Sequence, residues 1–323
     1  MSAKFRWGIL GTGSIANQFA DGLEPIEGAE LAAVGSRNED TARAFAEKHG
    51  ARRHHASYEA LAQDGELDAI YVSSPHSFHC ENTLLLLEHG QSVLCEKPFA
   101  INLSEVHRMI AKAKEKERFL MEAMWTRFNP AIVEMGKLLD AGAIGEPRQV
   151  TADFGFRADF DPRQRLFNPE LGGGALLDVG IYPITFARLV FRQDPESIVS
   201  EATIGETGID EQSAYLFRYE DGGLALLSSA VRTETPHEGV VCGSEGTIRV
   251  PRHFWRPDRL EVNGEERRIP FLGNGYTHEA MHVMDCVRAG KRESDIMSWS
   301  ETIAVQKTLD TIRAQWGLRY PGE

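Results

Sequence analysis

The sequence predicts an α/β protein in two parts: an N-terminal parallel sheet covered by helices, then an α+β region built on an open, mostly antiparallel sheet. Three observations predict it. Short apolar runs alternate with helical patterns through the first 120 or so residues, which is the signature of a parallel sheet with crossover helices. A glycine-rich turn, Gly11-Thr12-Gly13-Ser14-Ile15-Ala16, follows the first apolar run. After residue 123 the alternation gives way to strand-like runs separated by glycine and Asp-Gly turns such as Asp221-Gly222-Gly223, the punctuation of hairpins.

In chain order, the pattern predicts strands at Phe5–Leu10, Glu30–Gly35, Ala69–Ser73, Ser92–Cys95 and Phe119–Ala123. Helices are predicted at Ser14–Gly22, Glu39–His49 and near Phe78–His89. Asn102 opens a further helix with Glu105 three residues on, the spacing of a capping box. In the second part, Pro130–Ala141 and Gly174–Phe191 read as helices. Strands are expected at Gln149–Phe154, Ser213–Tyr219, Leu224–Val231 and Thr247–Val250, and closing helices at Glu279–Arg288 and Glu301–Ala314. The expected division is 1–123 and 124–323, with the last helix packing back on the first domain. The charge-rich run Lys112–Arg118 reads as a solvated helix face.

A chain of 323 residues is long for one core and ordinary for two. Its 42% hydrophobic and 26% charged content is that of a globular protein. The net charge of -13 argues against nucleic-acid partners, which need clustered Lys and Arg to neutralise phosphates. No run of 18 apolar residues and no basic-then-apolar leader is seen, so neither a membrane span nor a signal peptide is expected. Cys80, Cys95, Cys242 and Cys286 form no Cys-x-x-Cys pair, which speaks against disulfides and thiolate metal sites and for a cytoplasmic location.

The glycine turn carries the clearest chemistry. The first glycine permits a tight turn, the second lets backbone approach a pyrophosphate, and Ala16 allows close helix–strand packing. Thr12, Ser14 and Ile15 then open a helix whose N–H groups face the phosphates. The turn therefore predicts a dinucleotide-binding (Rossmann) domain. The second strand ends at Gly35-Ser36-Arg37, with no acid to take ribose hydroxyls. Ser36 and Arg37 suit a 2′-phosphate instead, so NADP(H) is favoured over NAD(H), which remains an option.

Further candidates end the other strands at the same edge, where open α/β sheets bind ligands. Ser73 and Ser74 are small hydroxyl residues, followed by His76 and His79. The two histidines resemble a metal pair but lack a third ligand, so a helix start or a cofactor contact is the preferred reading and no metal is expected. Glu96 and Lys97 end the fourth predicted strand. There a lysine can hydrogen-bond a ribose or substrate hydroxyl and stabilise negative charge; the alternative is a surface lysine before a turn. Beyond Gly172-Gly173-Gly174, Asp178 and Tyr182 lie four residues apart, on one face of an α-helix. Tyrosine can donate a proton as a carbonyl becomes an alkoxide, and an ammonium such as Lys97 makes it a better base. The alternative is a structural aspartate and a core tyrosine.

Taken together, the Gly11–Ala16 turn, Glu96-Lys97-Pro98 and the Gly-Gly-Gly…Asp178-x-x-x-Tyr182 helix resemble the Gfo/Idh/MocA (glucose–fructose oxidoreductase / inositol dehydrogenase) family over nearly the whole chain. Glu122–Phe128 and Asp178–Tyr182 are similar to its trans-1,2-dihydrobenzene-1,2-diol dehydrogenase / NADP D-xylose 1-dehydrogenase branch. The resemblance implies a Rossmann domain, a C-terminal sheet domain and a nicotinamide cleft between them. It implies catalysis by Lys97 and Tyr182, with Asp178 positioning the substrate hydroxyl and Trp125, Arg127 and His79 bordering the site. Many members carry His where this chain has Tyr182, which moves the expectation away from inositol. The expected activity is reversible hydride transfer between NADP(H) and a sugar, polyol or dihydrodiol, in a homodimer or homotetramer. The rivals are an NAD-dependent glycosidase on the same fold and a non-catalytic NADP sensor. The loop Phe156–Leu171 reads as a mobile, Arg-containing lining of the pocket.

Overall fold

A computed structural model describes residues 4–323. The chain divides into two compact units: Met1–Phe128 with Leu272–Ile303, and Asn129–Phe271 with Ala304–Glu323.

The first unit is built on six parallel strands: β1 (Phe5–Leu10), β2 (Ala29–Gly35), β3 (Arg53–His55), β4 (Ala69–Val72), β5 (Val93–Glu96) and β6 (Leu120–Ala123). They lie in the order β3-β2-β1-β4-β5-β6. The order reverses beside β1, the crevice where such sheets bind dinucleotides. The crossover helices are α1 (Ser14–Leu23), α2 (Glu39–His49), α3 (Tyr58–Ala62), α4 (His79–Glu88) and α5 (Leu103–Lys116). Local chemistry starts them. Asn38 Oδ1 accepts the Thr41 N–H, Ser57 Oγ the Ala60 N–H and Asn102 Oδ1 the Glu105 N–H, each quenching one orphan donor of a first turn. The Glu105 carboxylate accepts the Ile101 N–H. Trp7, Ile9, Phe19 and Tyr71 are fully buried, and the Phe19 and Tyr71 rings stack at 3.8 Å.

The second unit opens with α6 (Pro130–Asp140) and β7 (Pro147–Gly155) and continues through α7 (Ile181–Phe191) to β8 (Ser197–Ile204), β9 (Asp210–Arg218), β10 (Leu224–Ala230), β11 (Gly239–Gly243), β12 (Thr247–Val250), β13 (Arg259–Val262) and β14 (Glu265–Arg268). The eight-stranded order is β14-β13-β12-β11-β7-β10-β9-β8. Only the β7–β10 pair is parallel. The segment Pro169–Phe191 is long and apolar enough to cross a membrane, but 89% of that window is buried within the fold. The last two helices are α8 (Gly275–Arg288) and α9 (Trp299–Trp316). The first of them belongs to the nucleotide-binding unit: Asn274 Nδ2 donates to Gln18 O and Thr277 Oγ1 to Gly22 O, both on α1.

The turn that leads toward α7 in the second unit is held by buried polar groups. Gly174 has a φ of +117°, and a Cβ there would lie 2.4 Å from Asp210 Oδ1. Asp210 is fully buried and accepts the Leu176 N–H at 2.7 Å, while Tyr320 donates its hydroxyl to Gly173 O at 2.6 Å. Burial pushes the Asp210 carboxyl up to about 7. A raised carboxyl favours folding in its neutral form. Its contribution is complete below the ordinary carboxylate range and is lost as the pH rises through about 7. Asp210→Asn, which keeps the acceptor and cannot ionise, should therefore gain stability relative to the parent between pH 5 and pH 8. Urea unfolding of both proteins at the two pH values checks this; a difference that does not change with pH would show that Asp210 is not buried neutral.

Candidate active site

The carboxyl ends of the parallel strands bring most of the predicted residues of the first unit to one edge. Gly11 leaves β1 at a φ of +106°, and a Cβ on it would lie 2.7 Å from Ser73 Oγ. The Ser73 hydroxyl itself donates to Leu10 O at 2.8 Å, joining the ends of β1 and β4. Thr12 and Gly13 come next, and α1 starts at Ser14 with Gly13 as an N-cap that has no side-chain hydrogen bond. A Cβ on Gly13 would meet no atom within 4 Å. Packing therefore does not explain this glycine, whereas close approach by a pyrophosphate to uncapped N–H groups does. Ile15 is partly exposed and Ala16 is buried. These residues fit a dinucleotide.

At the end of β2, the Ser36 hydroxyl is 2.7 Å from Thr41 Oγ1, and Arg37 is exposed. Burial raises the Tyr58 hydroxyl above its usual range, and the nearby Arg37 charge lowers it in part. No carboxylate occupies this turn.

The turn after β5 is fastened by three buried side chains. Glu96 Oε2 accepts the Lys97 N–H at 3.1 Å. His79 Nδ1 lies 2.8 Å from Pro98 O, and its Nε2 lies 2.8 Å from Ser74 O. Glu122, at the end of β6, accepts the Phe99 N–H at 3.1 Å. The other Glu96 oxygen takes the hydroxyl hydrogen of Tyr71. Lys97 thus leaves a turn, with a cis Lys97–Pro98 bond, whose backbone has little freedom; its own side chain is only half-buried. His79 is fully buried, with a carbonyl oxygen 2.8 Å from each ring nitrogen; a neutral imidazole donates to one of them and the imidazolium to both. His76 begins a single 3₁₀ turn, and its ring stands 5.7 Å from that of His79. Ser74 accepts a hydrogen bond from Asn82 Nδ2.

Burial pushes the Glu122 carboxyl up to about 7 despite the hydrogen bond from Phe99 N–H. Glu279 of α8, which sequence reasoning did not single out, is fully buried, and neither of its carboxylate oxygens has a partner among the described residues. Burial and the nearby Glu96 raise it well above the carboxylate range, so it stands as a neutral neighbour of Glu96. Trp125 and Arg127 lie on a 3₁₀ turn after β6. The Trp125 ring packs 5.1 Å from that of Tyr276, and Arg127 Nη1 pairs with Glu301 at 2.8 Å.

In the second unit, Asp178 and Tyr182 are both more than nine-tenths buried. The predicted single helix is modified here. Leu176–Gly180 is a π-helical turn, and the α-helix begins at Ile181. Pro183 explains the change: it has no N–H for a carbonyl four residues back, and its ring would clash with that carbonyl in a regular helix. A widened i→i+5 turn relieves both problems. The even i, i+4 face expected for Asp178 and Tyr182 is therefore displaced by the wider turn. Asp178 pairs with Arg165 Nη2 at 2.8 Å. The Tyr182 ring lies 5.4 Å from Phe154 and 6.3 Å from Trp255, which stack on each other at 3.6 Å.

Sequence reasoning missed Phe154, Trp255 and Arg165 as neighbours of this pair. Phe154 ends a predicted strand, and Arg165 lies in the loop flagged as a lining. Trp255 carried no local signal, because it lies in a turn after β12, and stacking between distant segments has no sequence spacing. The loop itself contains two 3₁₀ turns, Arg165–Phe167 and Pro169–Leu171.

Comparison with known proteins places these features. The description "Oxidoreductase family, NAD-binding Rossmann fold" matches residues 5–124, and "GFO/IDH/MocA C-terminal domain" matches residues 132–249. The chain is 40% identical to trans-1,2-dihydrobenzene-1,2-diol dehydrogenase of Danio rerio, with 98% of each chain covered. It is 33% identical to the Homo sapiens protein of that name, again over 98% of each. Among solved structures, a 3-ketoreductase from Actinomadura kijaniata in complex with NADP and TDP-benzene superposes with a TM-score of 0.86 at 25% identity, covering 96% of this chain and 97% of that one. The aldose-aldose oxidoreductase from Caulobacter crescentus complexed with glycerol gives 0.86 at 25% identity over 97% and 98%. A glycine turn left open for a pyrophosphate, a fastened lysine turn and near full-length similarity all lead to one assignment: the chain belongs to the Gfo/Idh/MocA family of NAD(P)-dependent oxidoreductases.

Proposed function

We propose that the protein oxidises a ring-bearing diol or sugar hydroxyl with NADP⁺, and reduces the corresponding carbonyl in reverse, with Lys97, Asp178 and Tyr182 carrying the chemistry. The observation behind this reading is the fastened turn that presents Lys97 at the carboxyl edge of the nucleotide-binding sheet. Relatives named for a trans-dihydrodiol, and a fold neighbour named for aldoses, support the substrate class. The stacked Phe154–Trp255 pair beside Tyr182 suits the flat face of a ring.

The bound nicotinamide supplies a hydride acceptor for the carbon bearing the hydroxyl. In this reading the chain's own groups handle the proton. Tyr182 takes it from the substrate hydroxyl as the carbonyl forms and returns it in reduction. The Lys97 ammonium stabilises the negative charge that develops on oxygen. Asp178, held by Arg165, orients the hydroxyl. Gly11, Thr12, Gly13, Ser14 and Ile15 cradle the diphosphate. Ser36 and Arg37 take the 2′-phosphate, and Ser73, Ser74, His76, Glu96, Trp125 and Arg127 shape the nicotinamide end. His79 acts by holding the Lys97–Pro98 turn. We assign the protein to the cytoplasm, because all four cysteines are free thiols, and give it no nucleic-acid or membrane partner.

We also infer a homodimer or homotetramer formed through the sheet of the second unit. Val199, Leu216 and Leu226 face one another across β8, β9 and β10 and are exposed. Such an apolar row on an open sheet is a surface that association buries.

Two experiments test these readings. Aldoses, polyols and trans-dihydrodiols are assayed with NADP⁺ and with NAD⁺, and the best substrate is then used with Tyr182→Phe. Turnover should fall by about 10²–10⁴, the scale of general acid–base catalysis, while NADP(H) affinity and the folded circular dichroism are retained. A variant within about threefold of the parent would make Tyr182 structural. Sedimentation of Leu216→Glu should give a single folded chain where the parent gives two or four; a parent that sediments as a monomer would overturn the sheet-face assignment.

A further inference from the structure

At the end of α8, three polar groups converge on one ring nitrogen. His282 Nε2 lies 2.8 Å from Ser294 Oγ, 3.3 Å from Cys286 Sγ and 3.6 Å from Asp295 Oδ1. His282 and Cys286 are one turn apart on the helix and share a face, and Asp295 is supplied by the loop beyond the helix end. All three ligand atoms lie within 4.8 Å of one another. We propose that His282, Cys286 and Asp295 form a binding site for a soft-to-borderline divalent cation of the zinc class, separate from the catalytic groups.

Four physical points support it. First, one imidazole nitrogen has either one lone pair or one N–H, so it cannot satisfy three partners by hydrogen bonding. A cation among them satisfies the nitrogen, sulfur and carboxylate together. Second, tetrahedral zinc with bonds of 2.0–2.3 Å holds its ligand atoms about 3.3–3.6 Å apart, and the nitrogen–sulfur and nitrogen–oxygen separations here already approximate this. Third, the Ser294 oxygen accepts the N–H groups of Ile296 and Met297. Its hydrogen is left to point at Nε2, which makes that nitrogen a lone-pair acceptor, the form a metal requires. Fourth, the loop is anchored before any ion arrives. Leu120 N–H donates to Arg292 O, Trp299 Nε1 donates to Leu120 O and Trp299 N–H donates to Glu293.

The neighbouring charges are consistent with capture of one cation. Burial holds His282 below its usual value, and so neutral at neutral pH. Asp295 is held below the ordinary carboxylate range, first by its backbone hydrogen bond and also by Lys291. Burial raises the Cys286 thiol, so binding must displace its proton: the S–H bond breaks, the sulfur–metal bond forms and one H⁺ leaves to solvent. Lys291 Nζ, 3.4 Å from Asp295 Oδ2, is half-exposed and can swing aside. Asp285 adds negative charge nearby. The exposed Asp295 is the entry point, while Cys286 and the Phe128 ring, 5.0 Å from that of His282, form the dry inner wall. A fourth position remains for water. Loaded, the ion would staple α8 to the 291–298 segment.

Untagged protein, reduced and stripped with EDTA, is dialysed against zinc and, separately, titrated with cobalt(II). One zinc per chain is expected, with a thiolate-to-cobalt charge-transfer band that disappears in Cys286→Ser and persists in Cys242→Ser. Asp295→Asn, a change at an exposed position, keeps the test valid if the cysteine variant folds poorly. It should weaken zinc binding by roughly 10–100-fold, since even outer-shell partners of a metal cost that much. Absence of the band in the parent, its survival in Cys286→Ser, or unchanged zinc affinity in Asp295→Asn would each overturn the site.

Discussion

The role proposed for Lys97 depends on how the backbone is held between Glu96 and Phe99. A lysine at the end of a strand has a long, mobile stem, and its usefulness is set by where its Cα is fixed. Here the Lys97 N–H, the Pro98 carbonyl and the Phe99 N–H each have a buried side-chain partner, from Glu96, His79 and Glu122. The three partners come from the ends of β5 and β6 and the start of α4, so the parallel sheet itself sets their spacing. The cost is two carboxyls, Glu96 and Glu122, kept out of water, with Glu279 buried nearby. Burial raises Glu122 and Glu279, so neutral forms carry part of the load and like-charge repulsion behind Lys97 is reduced.

The second unit uses the same device with different parts. Buried Asp210 and the Tyr320 hydroxyl fix the Gly173–Leu176 turn, and the π-turn beyond it leads into Tyr182. A cluster of hydroxyls, Ser213, Tyr215 and Ser229, packs beneath Gly180. Such hydroxyl networks rigidify the backbone they pack against, which in the proposed mechanism would hold Asp178 and Tyr182 in fixed positions.

Much of this was legible in the sequence, and the reasons are specific. Phe5–Leu10, Glu39–His49 and Thr247–Val250 form their elements at the predicted bounds, because strand runs and asparagine caps are local signals. Gly11 and Gly13 announced their roles because one needs a positive φ and the other leaves open space. The short β3 and α3, and the polar edge strand β14, went unread; three to five residues carry too little periodicity. The π-turn was hidden although Pro183 was in view, since a proline can end, kink or widen a helix. The clamp by His79 was illegible because it joins carbonyls of Ser74 and Pro98, a matter of sheet order. Cys-x-x-Cys spacing says nothing of Cys286, whose proposed partners are a histidine one helical turn back and an aspartate beyond the helix end.

In the proposed mechanism, Lys97 and Tyr182 serve one proton-transfer event. A double-mutant cycle on kcat with the best substrate, using Lys97→Met, Tyr182→Phe and the pair, tests this most directly. Groups that act as a unit are strongly non-additive, so the double variant should lose about as much turnover as the worse single variant. Losses that multiply would mean that the two residues act independently, and would contradict the shared role.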